Sequence, residues 1–86
     1  TININEGDVI HFNVVAPINP FQIKTAAGIG TANQLKTYLF VGDGNGVIGN
    51  EETNGQVQLY TYGLSGTTLY YQCKVDSNLV GQIVIT

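Results

Sequence analysis

Apolar and polar residues alternate along most of this chain. In Thr1 to Asn5 (TININ), Ile2 and Ile4 fall on one face. In Val9 to Val15 (VIHFNVV), Ile10, Phe12 and Val14 share one side and His11 takes the other. Phe21 to Thr25 (FQIKT) resumes the pattern with Phe21 and Ile23 inward, and Lys36 to Val41 (KTYLFV) reads as a further strand. Gln56 to Tyr62 sets Val57, Leu59 and Thr61 against Gln58, Tyr60 and Tyr62; Thr67 to Cys73 and Gly81 to Thr86 close the series. A period of two places successive side chains on opposite faces of a strand.

The breaks fit that reading. Glu6-Gly7-Asp8 and Gly63 to Gly66 are turn signals. Pro17 and Pro20 bracket a stretch that no central strand tolerates. Residues 26 to 35 (AAGIGTANQL) have no clear period and read as a loop with room for one helical turn. Gly42 to Gly55 holds five Gly and three Asn, which predicts a long loop or a short hairpin at Asn45-Gly46. About seven short strands with no amphipathic helix predict an all-β sandwich or barrel. With 86 residues and no linker, a single domain over 1–86 is expected.

Composition narrows the function. Only 10% of residues are charged, where about a quarter is usual, and the net charge is -3 with three basic side chains. Nucleic acid is therefore not an expected partner, because phosphate neutralisation needs a basic patch. No apolar run approaches the length of a membrane helix, so no membrane partner is expected. The polar surface comes from Asn, Gln, Ser and Thr, and interface cores are depleted of charge in the same way. One cysteine allows no internal disulfide.

That cysteine lies in the most informative stretch, YYQCKVDSNLVGQIVIT from Tyr70 to Thr86. Leu69, Tyr71 and Cys73 share a strand face, which brings Cys73 to the end of the core. Glu6-Gly7-Asp8-Val9-Ile10-His11-Phe12, Asn19-Pro20-Phe21-Gln22-Ile23, the Gly63-to-Tyr71 approach and the Gly81-Gln82-Ile83-Val84 strand surround it. In that order and spacing they resemble the cupredoxins, the small blue-copper proteins, over most of the chain except residues 26 to 55. The resemblance implies a Greek-key β-sandwich and places the four copper-ligand positions at Asn19, Cys73, Asp76 and Leu79.

Three of those four depart from the family pattern. A type-1 copper centre needs two imidazoles, a thiolate and a weak axial thioether. Asn19 and Asp76 stand where histidines belong, and Leu79 stands where methionine belongs. The one histidine, His11, is expected on the outer side of its strand. Cys73 is then a small buried hydrophobe, and no cofactor is expected.

Asp43, Asn45, Asn50, Glu51 and Glu52 could surround calcium, but Val47 and Ile48 interrupt the frame of a calcium loop. No nucleophile, base and orienting carboxylate form a set. Tyr60 and Tyr62 share a face and form a candidate binding surface for sugar or protein. The expected function is non-enzymatic: a structural or interaction module that has lost copper. Similarity to β-sandwich modules of phage virion proteins implies a capsid-decorating, cement or appendage role in the virion. Its partners would be protein subunits in a homo-oligomer or larger assembly. The alternatives are a cupredoxin-type electron-transfer or copper-storage protein, and a carbohydrate-binding module.

Overall fold

The computed structural model describes all 86 residues. Seven strands follow in order: β1 (Ile2–Ile4), β2 (Val9–Val15), β3 (Phe21–Lys24), β4 (Asn45–Ile48), β5 (Asn54–Thr61), β6 (Thr68–Cys73) and β7 (Val80–Ile85). One 3-10 turn covers Val41–Asp43. The strands form a four-stranded sheet, β1-β7-β6-β3, and a three-stranded sheet, β2-β5-β4. The architecture is all-β and sandwich-like. β1 runs parallel to β7, and all other pairs are antiparallel.

The alternation explains the core. Ile23, Leu69, Ile83 and Ile85 of one sheet meet Val14, Val47, Val57 and Leu59 of the other, and all eight are buried. Burying each such side chain stabilises the fold by roughly 1.5–3 kcal/mol. Ile2, Ile4, Ile10 and Phe12, on the first two strands, pack against this core but stay partly exposed.

Three sequence expectations need correction. Lys36 to Val41 is not a strand, although Thr37 makes one parallel bridge to Val47. The chain leaves the sheet because the Asp43 carboxylate accepts bonds from Leu39 N (2.7 Å) and Phe40 N (3.3 Å), which closes a turn. Asn45-Gly46 is no hairpin turn but the start of β4. Gly46 is required there: a Cβ would lie 2.8 Å from Tyr38 N and 2.9 Å from Lys36 O, so only glycine lets that segment pass. Residues 26 to 35 contain no helical turn. They lie across the outer face of β3 and β6 and bury Gln22, Lys24 and Gln72, which strand alternation assigns to solvent.

That cover is built from hydrogen bonds. Gln22 and Gln72 are cross-strand neighbours. Gln22 Nε2 donates to Gly30 O (2.7 Å), and Gln34 Nε2 donates to Gln22 Oε1 (2.7 Å). Gly28 N donates to Gln72 Oε1 (3.1 Å). Lys24 Nζ donates to Gly28 O (2.5 Å) and Gly30 O (3.4 Å). No buried side-chain nitrogen or oxygen lacks a partner, as stable burial of polar groups demands.

Candidate functional site

The end of the sandwich at Cys73 holds a half-open cavity of about 360 Å³, lined by Ala16, Asn19, Phe21, Tyr71, Cys73, Asn78, Leu79 and Val80. Its floor is aromatic. Phe21 stacks on Tyr71 with centroids 6.0 Å apart, and Phe12 tilts against Phe21 at 5.1 Å. Tyr71 pairs with Gly81, and a Cβ at Gly81 would lie 2.1 Å from the tyrosine ring. The glycine opens the space into which the ring lies.

The segment from Cys73 to Leu79 is folded back on itself. Cys73 N donates to Leu79 O (2.8 Å) and Leu79 N to Asp76 O (3.2 Å). Gln72 Nε2 reaches the same two carbonyls, Asp76 O at 3.0 Å and Leu79 O at 3.3 Å. The buried amide on one face of β6 thus sets the loop that walls the cavity on the other. Lys74 N, next along, donates to Pro20 O (2.9 Å) and fastens this loop to the one carrying Asn19.

Of the four positions taken from the sequence, the structure brings Asn19, Cys73 and Leu79 to one cavity. The Cys73 thiol is buried and donates to Asn19 Oδ1 at 3.2 Å. Asp76 is not among the lining residues; its Oδ1 accepts from Asn78 N (2.9 Å). Asn78, which the resemblance does not single out, lines the cavity instead. The donor set is thus a thiol, two carboxamides and an apolar wall. It does not fit a type-1 copper ion, which needs imidazoles. His11 is exposed on β2, and no three His, Cys, Asp or Glu side chains are grouped to hold a metal. The oxygens weighed for calcium are dispersed. Asp43 closes its turn, Asn50 Oδ1 accepts Ile23 N (2.8 Å), and Glu52 Oε1 accepts Thr53 N (3.1 Å) and Asn54 N (3.0 Å).

A second groove of about 320 Å³ lies at the other end of β2, lined by Gly7, Val9, Tyr38, Val41, Gly44, Tyr60, Thr61 and Tyr62. Tyr60 and Tyr62 both reach it. Tyr38 stacks on Tyr60 with centroids 3.8 Å apart and rings 6° from parallel, a pairing that sequence spacing did not reveal. Tyr60 OH donates to Gln58 Oε1 (2.9 Å), so one ring face and the hydroxyl of Tyr60 have partners within the chain. Tyr62 is exposed.

Comparison with protein-family models, curated proteins and solved structures gave no match for this chain.

Proposed function

We propose that this chain is a non-enzymatic structural or interaction module of cupredoxin-like, Greek-key type in which the copper corner has become a packing site. One observation carries the reading: Cys73 Sγ is bonded to a carboxamide oxygen at 3.2 Å, in a cavity whose remaining walls are mostly apolar. The crossing of the chain between sheets, at β1–β2, β2–β3, β3–β4 and β5–β6, supports the Greek-key part. The weakly charged, amide-rich surface supports protein subunits as partners. A role in many copies, as in a capsid-decorating, cement or appendage protein, is the setting we infer. Sugar binding has less support, because Tyr60 already uses a ring face on Tyr38 and its hydroxyl on Gln58.

The test is metal content and mass measured together, by native mass spectrometry with copper added. Copper-free protein with no blue absorbance is expected. One tightly held copper per chain, with a thiolate-to-copper band, would overturn this reading in favour of electron transfer. The corner itself is checked by Asn19→His, Asn78→His and Leu79→Met together, which supply imidazoles and a thioether from cavity-lining positions. Copper uptake is expected from that variant and not from one carrying Asp76→His in place of Asn78→His. The reverse result would overturn the placement of these loops around Cys73.

A further inference from the structure

Every sheet has two edges, and an uncovered edge presents unpaired N–H and C=O groups to other strands. Three of the four edges here are managed. Beside β4, Val47 N donates to Lys36 O (2.9 Å) and Tyr38 N to Val47 O (3.0 Å). Beside β3, Leu35 N donates to Ile23 O (3.0 Å), Thr25 N to Asn33 O (2.8 Å) and Ile23 N to Asn50 Oδ1 (2.8 Å). β1 is only three residues long.

β2 is different. It is seven residues long and pairs only with β5. Its sequence, VIHFNVV, holds no Lys, Arg, Asp, Glu or Pro, so the usual means of blunting an edge are absent. The inward-facing Ile10 and Phe12 are only partly buried, and the outer-face Val9 and Val15 are 47% and 81% exposed.

The ladder shows which groups are free. Val15 faces Asn54, and the next pair onward, Ala16 with Thr53, is joined by Ala16 N to Thr53 O at 2.8 Å. Residues of an antiparallel strand alternate between bonding the neighbour and turning their backbone groups away. Val14, Phe12 and Ile10 therefore bond to β5, while Val9, His11, Asn13 and Val15 turn both N–H and C=O outward. No loop, turn or side chain supplies any of these four with a backbone bond.

We infer that β2 is a docking edge and that its occupant is β2 of a second copy, running antiparallel about a two-fold axis at Phe12. This register alone uses all seven residues. Val9 meets the partner's Val15 and His11 meets the partner's Asn13, so the outward-turned groups face one another and each pair exchanges both backbone bonds. The exposed valines cover each other on the outer face. On the inner face Ile10 meets the partner's Val14 and the two Phe12 side chains meet at the axis, which joins the two cores. No formal charge opposes its like across the pair, a condition that same-strand pairing must meet. The contact is isologous and closes at two copies. It deepens the interaction reading above and rests on it for the expectation that the chain has a protein partner at all.

The test uses the intact chain. Sedimentation from micromolar to millimolar concentration is expected to show a reversible dimer. Amide exchange at Val9, His11, Asn13 and Val15 is expected to slow by about tenfold or more across that range, while Ile10, Phe12 and Val14 stay protected throughout. Asn13→Pro removes an outward N–H and no internal ladder bond, and is expected to abolish the dimer. Asn13→Ala loses only the exposed bond from Gln56 Nε2 to Asn13 Oδ1 (3.2 Å) and is expected to leave the dimer intact. If Asn13→Pro does not fold, Val9→Lys with Val15→Lys sets lysines opposite each other from exposed positions and serves in its place. A monomer at every concentration would overturn the self-pairing. A dimer that survives these variants would overturn the edge while leaving the interaction reading standing. Copper uptake would sink that reading without touching the edge.

Discussion

The two faces of the β3–β6 pair are buried by opposite means. Toward the core, Ile23, Leu69, Tyr71 and Cys73 pack with apolar neighbours, and the packing leaves a cavity of about 360 Å³ at its end. On the outer face, Gln22, Lys24 and Gln72 are each at most 1% exposed, and each is hydrogen-bonded to the segment that covers them. Apolar packing tolerates a shift of a few tenths of an ångström at modest cost. A buried amide does not, because every lost partner leaves a desolvated donor or acceptor behind. The outer face is thus the more brittle, and it also fixes the loop that shapes the cavity.

The largest effect is therefore expected on the polar face. Gln72→Ala strands Gly28 N and takes one of two donors from each of Asp76 O and Leu79 O. A loss of about 3 kcal/mol is expected, typical of breaking a buried network. It is measured by denaturant unfolding. The 74–79 loop should also become more mobile, seen as faster amide exchange at Leu79. A stability loss under about 1 kcal/mol would mean that water replaces the amide and the cover is not a sealed layer.

A smaller effect is expected on the apolar face. Gly81→Ala drives a methyl into the Tyr71 ring, so the ring must leave its place beside Phe21. Overpacking of this kind costs roughly 1–3 kcal/mol, and the adjoining cavity gives the ring somewhere to go, which favours the lower half of that range. A second change, Tyr71→Leu, should recover most of the loss in a double-mutant cycle, since it removes the clashing ring. Independent, additive losses would show that the glycine is needed for another reason.

This contrast also explains what the sequence discloses. VIHFNVV was legible because β2 has water on its outer face, so alternation maps directly onto burial. FQIK and YYQC alternate as cleanly, yet Gln22, Lys24 and Gln72 are buried because a loop 4 to 44 residues away in sequence covers them. Alternation reports which face a side chain takes, not what lies over that face. β4 was hidden for another reason. Asn45 and Gly46 score as turn residues, and only the crossing of Tyr38 over Gly46 shows why a glycine belongs in that strand. At the candidate site, the resemblance named Asn19, Cys73, Asp76 and Leu79; Asn19, Cys73 and Leu79 line one cavity, and Asn78 rather than Asp76 lines it with them. A loop closed by Cys73 N to Leu79 O rotates its members in a way that residue counting does not capture.

The smallest effect tests the rim between the two faces. Glu51 Oε1 accepts from Lys74 Nζ at 2.5 Å, and Glu51 Oε2 accepts from Gln34 Nε2 at 3.3 Å, which ties the covering segment to the loop after Cys73. Bonding to Lys74 first, and then to Gln34, holds the Glu51 carboxyl below its ordinary value of 4.5. A carboxylate whose value is lower in the folded chain binds its proton more readily when unfolded. Its contribution is therefore fully present above the ordinary carboxylate range and is lost as pH falls through the lowered value. Both side chains are more than a third exposed, at 35% and 38%, so solvent and salt screen the pair and the loss is small. Denaturation midpoints measured from neutral to acid pH, for the wild type and Glu51→Gln, isolate it. The variant keeps a side-chain oxygen for Lys74 but no titrating group, so the difference between the two chains should shrink as acid protonates Glu51. A difference that stays constant across that window would place the acid sensitivity elsewhere and leave Glu51 as a purely geometric link.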